Sequence, residues 1–156
     1  MLLQRSSSRS DGFTLIEVVT VLIILGILAV VAVARSLDTN ADLVSQTDVI
    51  KSHLRYAQSR AMAMEEVWGV NSTGTSYYLY SARSGKVRFP GEDSDDIILA
   101  DKGMASMTPG SFAFDKTGCP LDETGQPRDD NAIITIIASN GKNATISIVS
   151  FTGYVP

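Results

Sequence analysis

The chain is poor in the residues from which cross-links and most active sites are built. Its 156 residues include one cysteine, Cys119, and one histidine, His53. A single thiol closes no intramolecular disulfide, so Cys119 reads as a small, partly buried side chain. A single imidazole has no second histidine to join it, and His53 reads as a partly exposed structural residue rather than a ligand or catalyst. Serines are numerous, yet none sits in a Gly-x-Ser-x-Gly elbow. No HExxH, phosphate-loop or Gly-x-Gly-x-x-Gly pattern occurs either. These absences predict a protein that is not an enzyme and uses no cofactor or catalytic metal.

Positive charge is scarce as well. The net charge is −4; Arg5, Arg9 and Asp11 give residues 1–12 a balance of +1, so the remainder carries −5. An acidic folded part argues against broad nucleic-acid binding, which takes a clustered basic face. Arg83, Lys86 and Arg88 form the one dense basic cluster, and after Arg128 only Lys142 follows. The cluster reads as a solvated strand edge.

What the chain has in plenty is aliphatic sequence near its start. From Phe13 to Ala34 the only charge is Glu17, and no Lys or Arg stands between Glu17 and Arg35. A helix over this run is roughly 33 Å long at about 1.5 Å per residue, close to the roughly 30 Å of a bilayer's hydrocarbon core. Arg5 and Arg9 precede it, which predicts a cytoplasmic N-terminus and an outward-facing C-terminal part. A secretory signal would end at small residues around a cleavage site, whereas "AVVAVAR" runs straight on. The apolar segment is therefore expected to stay on the chain.

Glu17 needs a reason to be there. A carboxylate at the centre of a span costs about 2.5–3.5 kcal/mol on insertion scales, and such residues are functional candidates by default. Near the interface it can reach water. In an assembly away from headgroups it needs a cation that its own helix does not supply. Cleavage after Gly12 would create an α-amino group at Phe13, and a neighbouring helix shifted along the axis could present that amine to Glu17.

The residues "GFTLIEVV" followed by "LIILGILAVVA" resemble the N-terminus of type IV pilins and pseudopilins. In that family a membrane-embedded prepilin peptidase cuts after the glycine, here Gly12, and methylates the new first residue, here Phe13. The acid, here Glu17, helps to recruit and register subunits. The resemblance also implies partners: other pilin or pseudopilin subunits, the prepilin peptidase, an assembly platform with its ATPase, and membrane lipids. Many members have proline where this chain has Ala34, and Gly26 is left as the one weak point of the helix. The cysteine pair common in major pilins is missing, which leans towards a minor subunit.

Beyond Arg35 the sequence to Glu66 contains neither Gly nor Pro. Leu43, Thr47, Ile50, Leu54, Ala57, Ala61 and Met64 recur at alternating four-three spacing, one stripe of an amphipathic helix. Its small members suit packing on a sheet better than a coiled coil. Strands are predicted at "VWGVNS", "SYYLYSA", "SGKVRF", "DIILA" and "SFAFD". A long loop covers residues 116–131, and a hairpin forms from "AIITIIAS" and "ATISIVSF" about Asn140-Gly141. The fold class is thus α+β and pilin-like, a long N-terminal helix on a C-terminal antiparallel sheet. Its divisions are 1–12 leader, 13–35 membrane or filament-core helix, 36–66 amphipathic helix, and 67–156 β-rich domain. The segments "LRYAQSRAM", "WGV" and "FTGYVP" resemble the minor pseudopilins of type II secretion and the minor pilins of type IV systems.

Two acidic groups invite a calcium reading: Glu92, Asp93, Asp95 and Asp96, and Asp122, Glu123, Asp129 and Asp130. Neither has the spaced ligands of an EF-hand loop, and solvated acidic loops are expected. The functional reading is a structural minor subunit of a type IV pilus-like or type II secretion filament, anchored in a bacterial inner membrane with its C-terminal domain in the periplasm. The alternative is a binding module at a filament tip that captures DNA or a surface.

Overall fold

In the computed structural model the backbone is described for residues 14–36 and 39–156, and side chains for 14–30 and 41–156. The chain forms two compact units, residues 1–38 and 39–156. Among the described residues the first contains the helix α1 (Leu15–Ser36), which runs through Gly26 and Ala34 as a single element. Every described side chain in it is exposed, from Leu15 at 83% to Val19 at 45%. Apart from Glu17 and Thr20 the described side chains are apolar or Gly, and none of them is buried. The division drawn at 35/36 falls inside α1, which continues to Ser36, and residues 37–38 lie outside the described residues.

The second unit begins with α2 (Thr39–Met64). The stripe predicted from spacing is its buried face: Leu43, Thr47, Ile50, Leu54, Ala57 and Ala61 are all buried. Thr47 satisfies its hydroxyl within the helix by donating to the Leu43 carbonyl at 2.7 Å. Met64 departs from the expectation and is exposed. The helix ends there, and Glu65 takes a left-handed conformation (φ +53°) that turns the chain into the first strand.

Nine strands follow: β1 (Trp68–Ser72), β2 (Ser76–Ser81), β3 (Gly85–Val87), β4 (Ile97–Ile98), β5 (Met104–Met107), β6 (Gly110–Phe114), β7 (Pro120–Leu121), β8 (Ala132–Ala138) and β9 (Asn143–Ile148), with a 3-10 turn at Ala100–Lys102. They divide between two antiparallel sheets rather than one. The larger has the order β3-β2-β1-β6-β7 with β4 also on β2, and the smaller has the order β5-β8-β9. The β8–β9 hairpin turns at Asn140-Gly141 as predicted, with Gly141 at φ +83°. Along β8, Ala132, Ile134, Ile136 and Ala138 point inward while Ile133 and Ile137 face out. The core gathers the α2 stripe with Val70, Leu79, Phe112, Phe114, Ile134, Ile136, Ile146 and Ile148. Each such side chain contributes about 1.5–3 kcal/mol by leaving water.

The segment predicted as a continuous loop, 116–131, contains the short strand β7 and two turns of one design. Asp115 Oδ1 accepts from Thr117 N (2.8 Å), Thr117 Oγ1 (2.6 Å) and Cys119 N (2.9 Å). Asp122 Oδ1 accepts from Thr124 N (2.8 Å), Thr124 Oγ1 (2.7 Å) and Gln126 N (2.9 Å). The two turns are the tandem copies "DKTGCPL" and "DETGQPR" of an Asp-x-Thr-Gly-x-Pro sequence. Each aspartate satisfies backbone donors that would otherwise be left unpaired in an irregular segment.

Candidate functional site

The site indicated by the sequence is the start of α1. Gly12 and Phe13, the predicted cleavage and methylation residues, lie outside the described residues. Thr14 caps the helix: its hydroxyl oxygen accepts from Glu17 N at 3.3 Å, and its carbonyl accepts from Glu17 N and Val18 N at 3.1 and 3.3 Å. Thr14-x-x-Glu17 is the spacing of a capping box, and an acid in the first turn faces the positive end of the helix dipole. Local physics thus supplies part of the reason for a carboxylate at Glu17. Its side chain is exposed and has no ionic partner among the described residues. Around it Val18, Val21 and Leu22 present a purely aliphatic surface. One charge on such a surface can specify the register of a packed neighbour, because helix packing without water offers shape but little direction. No helix among the described residues is long and apolar enough to cross a membrane. The described side chains of α1 stop at Val30, whereas the apolar sequence continues to Ala34.

The other candidates resolve into structural roles. The basic cluster is neutralised: Lys86 pairs with Asp96 at 2.7 Å, Arg88 with Asp95 at 3.0 Å, and Arg83 with Glu66 at 3.4 Å. The same pairs occupy two acids of the first calcium candidate, and Glu92 pairs with Lys102 at 3.6 Å. In the second candidate Asp122 is committed to its own turn, and Asp130 approaches Arg128 at 3.9 Å. Among the described residues no three His, Cys, Asp or Glu side chains converge as a metal site.

Three titratable groups show what burial and bonding do here. Partial burial works to raise the Asp115 pKa, but the bonds from Thr117, Cys119 and Gly118 outweigh it and hold the carboxyl below its ordinary value. Burial, with Asp115 adding to it, pushes the Cys119 thiol up. Cys119 is buried rather than only partly so, a small side chain of the fold's interior. His53 corrects an expectation: it is buried, not partly exposed. Phe89, from the chain after β3, stacks on it with ring centres 3.9 Å apart, and Tyr77 Oη lies 3.1 Å from its Nδ1. Burial lowers the His53 pKa, Glu92 opposes that and Lys102 adds to it.

A polar clamp that was not anticipated joins α2 to the end of the chain. Gln58 Nε2 donates to the carbonyls of Gly118 (2.9 Å) and Thr152 (3.0 Å), and Arg55 donates through Nε and Nη2 to the Val155 carbonyl at 3.1 and 3.0 Å. The only hint available in sequence was that "LRYAQSRAM" and "FTGYVP" carried the subgroup resemblance together.

Residues 7–33 match the family model of the prokaryotic N-terminal methylation motif. The motif covers the start of the chain, from the segment before Gly12 through most of α1. A crystal structure of the type IV minor pilin FimU from Pseudomonas aeruginosa strain PAO1 superposes with a TM-score of 0.53 at 18% identity, covering 75% of this chain and 88% of that one. The chain therefore has the fold of that minor pilin, a helix packed on antiparallel sheet. No curated protein matches its sequence.

Proposed function

We propose that the chain is a structural minor subunit of a filament of the type IV pilus or type II secretion kind. It is cleaved after Gly12, N-methylated at Phe13 and held in the inner membrane by α1 with residues 39–156 on the periplasmic side. The carrying observation is a methylation motif on a helix whose described side chains are all exposed: such a helix demands lipid or neighbouring helices, and the motif supports a filament subunit's use of both. Glu17 pairs with the Phe13 amine of an adjacent subunit and sets its register. Prepilin peptidase, assembly platform and ATPase act before or during assembly.

The test is Glu17→Ala in cells that assemble the filament. Insertion is expected to be retained and recovery in sheared filaments to fall roughly tenfold or more, the loss expected on removing one partner of a desolvated ion pair. Filament recovery equal to wild type contradicts the pairing. The tip-binding alternative for DNA gains no support, because the cations it would use are already paired within the fold.

A further inference from the structure

We propose that residues 88–96 form an acid-released Ω-loop: Phe89, seated on His53, is its latch, and a proton taken up by His53 opens the loop while the rest of the domain stays folded. The device belongs to residues 39–156 alone and does not depend on filament assembly.

The strand pairing creates the loop. β1 runs along one edge of β2, so β3 and β4 share the other edge, with Val87 opposite Leu79 and Ile97 opposite Tyr77. The chain thus leaves the edge of the sheet after Val87 and rejoins it at Ile97, with residues 88–96 extruded between. A surface excursion whose ends lie close together is an Ω-loop. Two of its backbone donors bond within it, Glu92 N to the Phe89 carbonyl and Asp96 N to Ser94 Oγ, each at 3.3 Å.

Side chains fasten the loop to the domain. Outside, Lys86 pairs with Asp96 at 2.7 Å and Arg88 with Asp95 at 3.0 Å, two rungs across the neck, and Lys102 reaches Glu92 at 3.6 Å. All six groups are partly exposed, so water and salt weaken each pair. The stronger fastening is inside. Phe89 is buried, with its ring centre 3.9 Å from that of His53 and the planes within 16° of parallel. Tyr77 of β2 meets Phe89 edge-on at 6.1 Å, and Tyr56 of α2 lies at 6.5 Å. Tyr77 Oη, 3.1 Å from His53 Nδ1, holds the imidazole in place beneath the phenyl ring.

The phenyl lid makes the fastening sensitive to acid. While Phe89 is seated, burial opposes a charge on the imidazole. Tyr77 brings no charge, its hydroxyl being pushed up by burial and by Glu92, and Tyr56 presents its ring. Glu92 on the loop favours the charged imidazole and Lys102 disfavours it, and burial outweighs both. Lifting Phe89 returns water to the ring, so the open loop binds the proton better than the closed one. Above pH 6.5, the ordinary value for the group, there is no proton to take up and the loop stays closed. Below it, each pH unit multiplies the open-to-closed ratio by up to about tenfold, until the closed form also titrates. Acid strong enough to discharge Glu92, Asp95 and Asp96 undoes the outer pairs in the same direction. Opening uncovers Tyr56, Tyr77 and His53, so the domain presents one surface in neutral surroundings and another in acid.

The experiment follows amide hydrogen exchange of the full chain in detergent from about pH 7.5 to about pH 5, corrected for the intrinsic exchange rate. Protection of residues 88–96 is expected to fall by up to about tenfold per pH unit below 6.5, while β8 and β9 keep theirs. In His53→Gln, whose side chain takes up no proton, loop protection is expected to stay level. A fluorinated phenylalanine at position 89 of the otherwise unchanged chain gives a second readout, and its signal is expected to shift with the same midpoint as the His53 imidazole. Loop protection independent of pH overturns the latch. Protection lost from the loop and β8 together is global unfolding and overturns it too, as does a folded His53→Gln that keeps the full pH dependence. Should His53→Gln fail to fold, the fluorine signal decides alone: no shift, or a midpoint apart from that of the imidazole, overturns the proposal.

Discussion

Replacing Gly153 with alanine tests how the end of the chain is fastened to α2. Gly153 sits at φ +64°, and a Cβ there would run into the Gly118 carbonyl oxygen and stand 2.5 Å from Gln58 Nε2 and 3.1 Å from Phe114 Cδ1. The left-handed backbone alone costs alanine about 1 kcal/mol. Relieving the clash moves Gln58 off both of its carbonyl partners, and two lost hydrogen bonds add about 1 kcal/mol each. The sum is about 3 kcal/mol, which for a unit of this size corresponds to a fall of roughly 10–15 °C in melting temperature. Gly125→Ala is the matched control. It has φ +81° with nothing within 4 Å of the added Cβ, so it carries the backbone term only, about 1 kcal/mol. The readout is thermal unfolding of the full chain in detergent followed by the fluorescence of Trp68, the sole tryptophan and 5% exposed. Equal melting temperatures for the two variants would refute the clamp.

Further expectations concern the core and pH. Leu54→Ala, at a side chain with 0% exposure, is expected to cost about 2–5 kcal/mol in urea unfolding. Val44→Ala, 61% exposed on the same helix, should stay within about 0.5 kcal/mol of wild type. His53 has a folded-state pKa lowered from its ordinary 6.5. Above that value both folded and unfolded chains are neutral there. As the pH falls below it the unfolded chain takes the proton first, so stability declines with acidification and levels off once the folded form also titrates. An imidazole NMR titration with its midpoint at or above 6.5 would contradict this.

How much was legible in the sequence depends on the range of the interactions involved. The buried face of α2 was readable from Leu43 to Ala61 because helical spacing is a local property, and the β8–β9 hairpin was readable because Asn140-Gly141 specifies its own turn. The N-terminal motif needed no tertiary structure at all. Pairings between distant segments were not readable. β5 is four residues long and is defined by its pairing with β8, and the division into two sheets follows from the β1–β6 and β5–β8 contacts. His53 lies at the margin of the helical stripe, and only the arrival of Phe89 and Tyr77 from elsewhere buries it. The turn repeat at 115–128 was visible as self-similar sequence and could have been found by comparing the segment with itself. The partners of Arg55 and Gln58 lie 60 to 100 positions along the chain, beyond any periodicity.

Processing and methylation of the chain, as proposed, can be read from the intact mass of the protein in membrane fractions, with and without the peptidase. A mass beginning at Phe13 with one added methyl group is expected when the peptidase is present, and the uncut chain when it is absent. An uncut chain in cells that contain the peptidase would contradict it and leave a plain signal-anchored domain.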